Sequence, residues 1–493
     1  MKLQDLLEVL PFYYADGDIS EIDINTVKAD SRQVTEGSLF VCITGYTVDG
    51  HDFVEEAVKQ GASAILSEKE VTASVPVIQV ADTSRIMAKM AVRFYGYPTQ
   101  QIPLIGVTGT NGKTTVTYLL ESIFKEFEKK TGVIGTIQKK IGDNAYPVDN
   151  TTPDALSLQK TFQDMVDEHV ETAIMEVSSH ALDMGRVHGC DFDIAVFTNL
   201  SQDHLDYHHD MNDYLHAKSL LFAQLGNTYN SNQKKFAVIN EDDAHSGFLK
   251  KSTAQHILTY GCGVDAQVRA DNIYLDVMKT TFTLNTPAGS VLINSSLIGQ
   301  FNVYNMLAAS AAAISAGIPL AVIKKALDQM SGVSGRFEPV DGDQDYAVIV
   351  DYAHTPDSLE NVLQTIRGFT KHNVYAVVGC GGDRDKAKRP VMASIALKYA
   401  DQAIFTSDNP RTEAPLAILD DMAAGCQTDN YVIIENRREA ISRAVNQGET
   451  GDIILIAGKG HETYQEIHHT QHHFDDREVA QEAIQSRNLK EDQ

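Results

Sequence analysis

The stretch GVTGTNGKTT at positions 106–115 restricts this 493-residue chain more than any other. It follows the apolar run IPLIGV and precedes Val116, Leu119, Leu120, Ile123, Phe124 and Phe127 at helical spacing, so it reads as strand, glycine-rich turn and helix. Such a turn suits phosphate. Glycines leave backbone N–H groups free to point inward, a helix N-terminus adds its dipole, a lysine meets phosphate oxygens and a hydroxyl meets magnesium. Gly109, Thr110, Asn111, Gly112, Lys113, Thr114 and Thr115 supply those parts, although Val107 stands where the strict motif has its first glycine.

The same strand and helix grammar runs through the chain. Before residue 98 it reads SLFVCI, FVEEAVKQG, SAILSE, PVIQVAD and a helix over 84–95 that stops at Gly96 and Pro98. Beyond the glycine turn come the strands TGVIGTI, ETAIMEV and DIAVFTNL, and the segment SGVSG at 331–335 closes that series. The last third alternates YAVIVDY, NVYAVVG, QAIFTSD, YVIIENR and DIILIAG with four amphipathic segments. This predicts an α/β fold with mainly parallel sheets in three domains, 1–98, 99–333 and 334–493, the second of P-loop type and the third Rossmann-like. Length agrees, at roughly 100–200 residues per domain.

Composition removes several classes. A net charge of −26, from 41 Lys+Arg against 67 Asp+Glu, argues against nucleic acid and anionic membranes, which basic surfaces attract. Five widely spaced cysteines without a CxxC pair suit a reducing compartment rather than a disulfide framework or structural zinc. The run 306–323 is uncharged but broken by Gly317 and Pro319, predicting two packed helices rather than a membrane span. A soluble, cytoplasmic protein is expected.

Glu176 ends an apolar strand, where a magnesium-linked carboxylate belongs in a nucleotide-hydrolysing sheet, though alone such an acid is more often a solvated loop residue. Asn199, Asp203, His204 and Asp206 in NLSQDHLDYH should emerge beside it, which raises the case for a metal. GCGG at 379–382 lacks a GxGxxG fingerprint because Arg384 holds the last glycine position. The cluster IHHTQHHF reads as an exposed turn rather than a metal site.

Taken together, TGTNGKTT, EVSSHAL, NLSQDHLDYH, YLHAKSLLF, GQFNVYN, GRFE, VDYAHTPDSL and DNPRTE occur here in the order found in the Mur ligases of peptidoglycan synthesis. The chain resembles the members that add the third residue of the stem peptide, from Ser31 to Glu462. The resemblance implies an ATP-dependent amide ligase acting on UDP-N-acetylmuramoyl-L-alanyl-D-glutamate. In such enzymes a carboxylate attacks the γ-phosphate of ATP to give an acyl phosphate, and an amine then displaces phosphate.

Carried over by motif, the resemblance implies catalytic roles for Lys113, Glu176, His204 and Lys218. Thr114, Glu176, His204 and Lys218 as a carbamate would hold magnesium, and Asn302, Arg336 and Asp351 would join the ATP site. Without it, Lys218 reads as a surface helix lysine and Ser31 as a turn cap. Ser31, the loop 45–53, Asn150, Thr151, Thr152, Ser179 and Arg186 would hold the nucleotide sugar and its dipeptide, although Met184 replaces a glutamine that some relatives carry. Arg384, Asp408, Asn409, Pro410, Arg411, Gly458 and Glu462 would bind the incoming amino acid. DNPR resembles the members that use meso-2,6-diaminopimelate, whose distal carboxylate suits an arginine; Ala414 replaces their usual aspartate. The alternatives are a lysine-adding member, a folylpolyglutamate-type ligase, or a non-catalytic nucleotide-binding regulator.

Overall fold

The computed structural model describes residues 1–45, 48–148, 150–229, 234–276 and 279–491. The expected strands and helices form, and they assemble around three large sheets. The first has five strands in the order Tyr14–Asp16, Val77–Gln79, Ala62–Ser67, Ser38–Val41 and Thr26–Lys28, parallel except at the Tyr14–Asp16 edge. The last has six, with Ile453–Ala457 between Ala347–Asp351 and Val374–Val378 at its centre.

The central sheet has eleven strands and positions the site. Its middle is parallel, and Leu104–Thr108 lies between Thr172–Glu176 and Ile194–Phe197. All fourteen residues of these three strands are buried, as a parallel sheet covered on both faces requires. Register pairs Glu176 with Val107 and Phe197 with Thr108, so three carboxyl ends finish at one level. The chain reverses its direction of winding at Leu104–Thr108, the place where open α/β sheets bind ligands.

Helix Lys113–Glu126 covers this edge because Val116, Leu119, Leu120, Ile123 and Phe124 share one buried face. Ala155 and Leu156, opening helix Ala155–Asp167, pack into the core of the first sheet. Ile298 and Phe301, at the start of helix Gln300–Ser315, pack against the core of the third. Each neighbouring sheet is thus seated against a helix start of the central domain. The run 306–323 forms the ends of two helices, Gln300–Ser315 and Leu320–Gln329, as its Gly and Pro predict. Among the described residues no helix is long and apolar enough to cross a membrane.

Candidate active site

Gly112, at φ 87°, turns the chain into helix Lys113–Glu126, and a Cβ there would strike Asn305 Oδ1. Gly109 lies so close to Thr198 Oγ1 that no side chain fits. Asn199 clamps the turn from the next strand: its Oδ1 accepts from Asn111 N at 3.0 Å and its Nδ2 donates to Asn111 O at 3.1 Å. Lys113 Nζ curls back to donate to the Gly109 and Thr110 carbonyls, both at 2.9 Å, and has no acidic partner among the described residues.

Glu176 is fully buried beside this turn. Thr114 Oγ1 donates to its Oε2 at 3.0 Å, as does Thr136 Oγ1 at 3.0 Å, while Thr136 N donates to Oε1 at 2.9 Å. Arg336 reaches in from the third sheet, and its Nη2 donates to Thr114 Oγ1 at 3.0 Å. Its guanidinium lies 4.6 Å from the Tyr352 ring centre, and its buried Nε has no hydrogen-bond partner among the described residues. Asp351 accepts from Phe337 N at 2.6 Å, and burial pushes its carboxyl up to about 6 against the pull of Arg336.

Lys218 corrects the surface reading drawn from its charge. It is 1% exposed, because it lies on the face of helix Met211–Ala223 that buries Tyr214, Ala217 and Leu221. Its Nζ stands 4.1 Å from the Tyr214 ring centre and meets no hydrogen-bond acceptor among the described residues. Burial, then repulsion from Lys113, push its ammonium well below the usual lysine range. His204, at φ 56°, has Nε2 3.4 Å from Asp203 Oδ2 and its ring edge-on to His180. Desolvation, opposed by Asp203, lowers its imidazole. Asp206 is exposed, and Asn199 is committed to the turn. No three His, Cys, Asp or Glu side chains among the described residues gather as a metal cluster.

A cavity of about 630 Å³ opens beside the turn, lined by Asn111, Gly112, Thr115, Asn305, Arg336 and Asp351 among others. Asn302 lies behind this wall: its Nδ2 donates to Ile298 O and its Oδ1 accepts from Asn305 Nδ2, so it orients Asn305. Asp357 crosses from the third sheet, accepting from Asn111 Nδ2 at 2.7 Å and Ser201 Oγ at 3.1 Å. His354 donates from Nδ1 to Tyr352 O, and burial lowers its imidazole to about 4.

A second cluster lies at the carboxyl ends of the third sheet. Asp408 and Asn409 are buried; Asn409 Nδ2 donates to Glu462 Oε2 at 2.9 Å, and Lys459 Nζ donates to Asn409 Oδ1 at 2.9 Å and Glu462 Oε2 at 3.1 Å. Gly458, at φ 120°, leaves no room for a Cβ beside Asp408. The Pro410 carbonyl packs under Gly382, and Arg411 Nη1 donates to Gly382 O at 2.8 Å. Arg384 is exposed on the adjoining loop, and a Cβ on Gly381 would lie 2.9 Å from Arg411 Nη1 and 3.8 Å from Arg384 Cγ. The two arginines therefore flank one glycine.

The residues expected around the nucleotide sugar divide into two groups. Ser31 opens the turn Ser31–Gln33 on the first sheet, where Asp30 is the cap and Ser31 Oγ donates to Glu56 Oε2 at 3.4 Å. Of the loop 45–53, Tyr46 and Thr47 lie outside the described residues. Near Glu176, Thr151 Oγ1 meets Thr136 Oγ1 at 3.1 Å, Thr152 Oγ1 donates to Glu176 O at 2.9 Å, and Arg186 Nη1 donates to Thr152 O at 3.0 Å. Asn150 is exposed beside them, and Arg186 Nη2 contacts Met184 Sδ. Ser178 touches Thr152, whereas Ser179 turns to His208 Nε2 at 2.9 Å.

This arrangement of three sheets and two loop clusters coincides with three family models. Residues 107–313 match the Mur ligase middle domain, 335–460 the Mur ligase glutamate ligase domain, and 23–95 the Mur ligase family catalytic domain. The chain belongs to the Mur ligase family. A Mur ligase of Oceanobacillus iheyensis, named UDP-N-acetylmuramoyl-L-alanyl-D-glutamate--2,6-diaminopimelate ligase, is 60% identical over 491 residues, covering 99% of this chain and 100% of that protein. A solved structure with the same name is 37% identical, covers 98% of this chain and 99% of its own, and superposes with a TM-score of 0.70. The fold is also that of a MurF ligase from Thermotoga maritima solved with ADP, at 18% identity, a TM-score of 0.65, and 96% and 99% coverage.

Within this Mur ligase, several site residues escape motif reading. Asn305, Asp357, Ser178 and Lys459 each touch a predicted site residue. Asn305, Ser178 and Asp357 stand inside quoted motifs, three residues from Asn302, two from Glu176 and six from Asp351, where one helical turn and two strand ends could have marked them.

Proposed function

We infer that this chain is an ATP-dependent ligase that joins meso-2,6-diaminopimelate to the D-glutamate of UDP-N-acetylmuramoyl-L-alanyl-D-glutamate in peptidoglycan synthesis. The full-length match to a protein named for that reaction carries the reading. We assign residues 1–98 to the nucleotide sugar, 99–333 to ATP and 334–493 to the amino acid.

The reaction must bring a carboxylate onto a triphosphate, two groups that repel. Attack of the D-glutamate γ-carboxylate on the γ-phosphorus forms the acyl–phosphate bond and breaks the bond to ADP. The amine nitrogen then adds to the acyl carbon, and phosphate leaves. Lys113 serves by exchanging its carbonyl partners for phosphate oxygens, and Arg336 by offering its unpartnered Nε. Thr151, Thr152 and Arg186, tied to Glu176, hold the acceptor carboxylate in line.

The donor set fits magnesium: the Thr114 hydroxyl and Glu176 carboxylate are 3.0 Å apart, and the lowered His204 imidazole offers a neutral nitrogen. When bound, magnesium neutralises charge on the phosphate oxygens. Lys218 fits as a carbamate. A buried ammonium without an acceptor is costly, and burial favours the neutral amine. Its nitrogen can add to the carbon of carbon dioxide, releasing a proton to solvent and leaving an anionic carboxylate.

Arg411 and Arg384, flanking Gly381, suit the distal carboxylate of diaminopimelate, and Glu462 its distal ammonium. Phosphate release with the UDP-muramoyl dipeptide, ATP and magnesium tests the whole reading. Release should depend on diaminopimelate; equal release with lysine, or none with either amino acid, refutes it.

A further inference from the structure

The histidine-rich segment forms a hairpin, Tyr464–Ile467 paired antiparallel with Thr470–His473, whose turn carries His468 and His469 at φ 46° and 61°. The four imidazoles are exposed, and the opposite strand is the one that engages the molecule. Arg411 N donates to Glu466 O at 3.1 Å and His468 N donates to Arg411 O at 2.8 Å, so Arg411 pairs with Ile467 as in a parallel sheet. Gln465 Nε2 donates to Asp408 O at 2.7 Å and to Ser407 Oγ at 3.2 Å, and Glu466 N donates to Asn409 Oδ1 at 2.9 Å. Every residue from Ser407 to Arg411 except Pro410 is therefore tied to this strand.

Arg411 itself sits at φ 52°, a left-handed conformation that a non-glycine residue holds only when its surroundings impose it. Its side chain is also constrained. Nη1 is committed to Gly382 O, and Nε donates to Glu466 Oε2 at 3.1 Å, with both side chains mostly shielded from water. Nη2 has no partner among the described residues. A guanidinium gripped at Nε and Nη1 cannot swing, and its remaining edge points one way.

We infer that this hairpin sets which amino acid the ligase accepts, with Glu466 as the positioning residue that fixes the guanidinium plane of Arg411 for a carboxylate at the far end of the incoming amino acid. The inference rests on the reading that Arg411 meets that carboxylate. Carboxylate pairing with arginine is planar and directional, so orientation controls affinity. A diamine without a distal carboxylate has no use for this edge and should not respond to Glu466.

The test compares Glu466→Leu, Glu466→Gln and Arg411→Ala with the unaltered enzyme, measuring kcat, the KM of each substrate, and kcat/KM with lysine. Glu466→Leu should raise KM for meso-diaminopimelate roughly tenfold, the size of one hydrogen bond to a charged group, with kcat and the other two KM values changing much less. Glu466→Gln should recover most of this, because its Oε1 still accepts from Nε. Turnover with lysine should be unmoved, so discrimination falls by the same factor. Equal changes in all three KM values, or no rescue by glutamine, would make Glu466 a structural prop and overturn the inference. If Arg411→Ala raises KM for diaminopimelate while Glu466→Leu does not, the inference alone falls. If neither does, the reading of Arg411 falls as well.

Discussion

The two loop clusters treat charge in opposite ways. Around the phosphate turn, Lys113 touches only carbonyls, Lys218 only a tyrosine ring, and Arg336 a hydroxyl and a ring. None of these three basic side chains makes an ion pair among the described residues, and Lys113 and Arg336 are the cations among them. In the second cluster the shielded cations are matched: Arg389 with Glu413 and Asp421, Arg437 with Asp476, Lys459 with Glu462, and the half-buried Arg411 with Glu466. Arg384, exposed, is the exception. A ligand with several negative charges calls for uncompensated cations. A zwitterion with two ammonium and two carboxylate groups brings no net charge, so a balanced site can select it by position.

Removing a basic side chain from the unpaired cluster, Lys113 as a cation or Lys218 as the carrier of a carbamate, should be the most damaging change. Lys113→Ala and Lys218→Ala should each lower phosphate release by about two to three orders of magnitude. Short carboxylic acids should partly restore Lys218→Ala and leave Lys113→Ala inactive; equal rescue of both would erase the distinction between them. In the balanced cluster, Arg411→Ala should raise KM for diaminopimelate roughly ten- to a hundredfold. KM for ATP should hold steady, and a shift there would show that the two clusters are not separate.

Stability separates them further. Asp351 has a raised folded-state pKa of about 6, so its contribution to stability is greatest at low pH and is lost as pH rises through that value. Asp351→Asn should therefore resist urea better than the unaltered protein at pH 8, by roughly 2–3 kcal/mol, and the gap should close toward pH 4. Glu413 is the mirror case. Arg389 holds its carboxyl down at about 2, so stability is present above the ordinary glutamate range and lost as pH falls toward 2. Glu413→Gln should cost about 1 kcal/mol at pH 7, less as pH drops, since Arg389 keeps Asp421. A pH-independent difference in either variant would remove the charge argument.

The strand, glycine turn and helix around Gly109 and Gly112 were legible because their pattern is local: an apolar strand, two glycines and a helical apolar spacing within about twenty-five residues. Lys218 was not, since a charged residue in a helical pattern reads as solvent-facing unless its neighbours at i−4 and i+3, Tyr214 and Leu221, are weighed first. Arg336 with Thr114 and Asp357 with Asn111 join residues more than 200 positions apart, and no periodicity encodes such contacts. The antiparallel edge Val268–Leu275, Thr280–Thr286 and Gly289–Ser295 went unread, although Phe282 and Leu284 alternate with half-buried polar residues in period two. The histidine segment forms the exposed turn expected of it, at the tip of a hairpin whose docking onto Arg411, a loop some 55 residues earlier, side-chain pattern alone cannot specify.

Thr114 accepts from Arg336 and donates to Glu176; Thr136 donates to the same carboxylate, and so the Thr151 hydroxyl must donate to Thr136. Each proton in this row has one direction, from Arg336 of the third domain at one end to the Thr151 hydroxyl at the other. Any change in affinity that a ligand at one end of this row imposes on a ligand at the other is reciprocal. Whatever factor ATP imposes on binding of the nucleotide sugar, the nucleotide sugar must impose on binding of ATP.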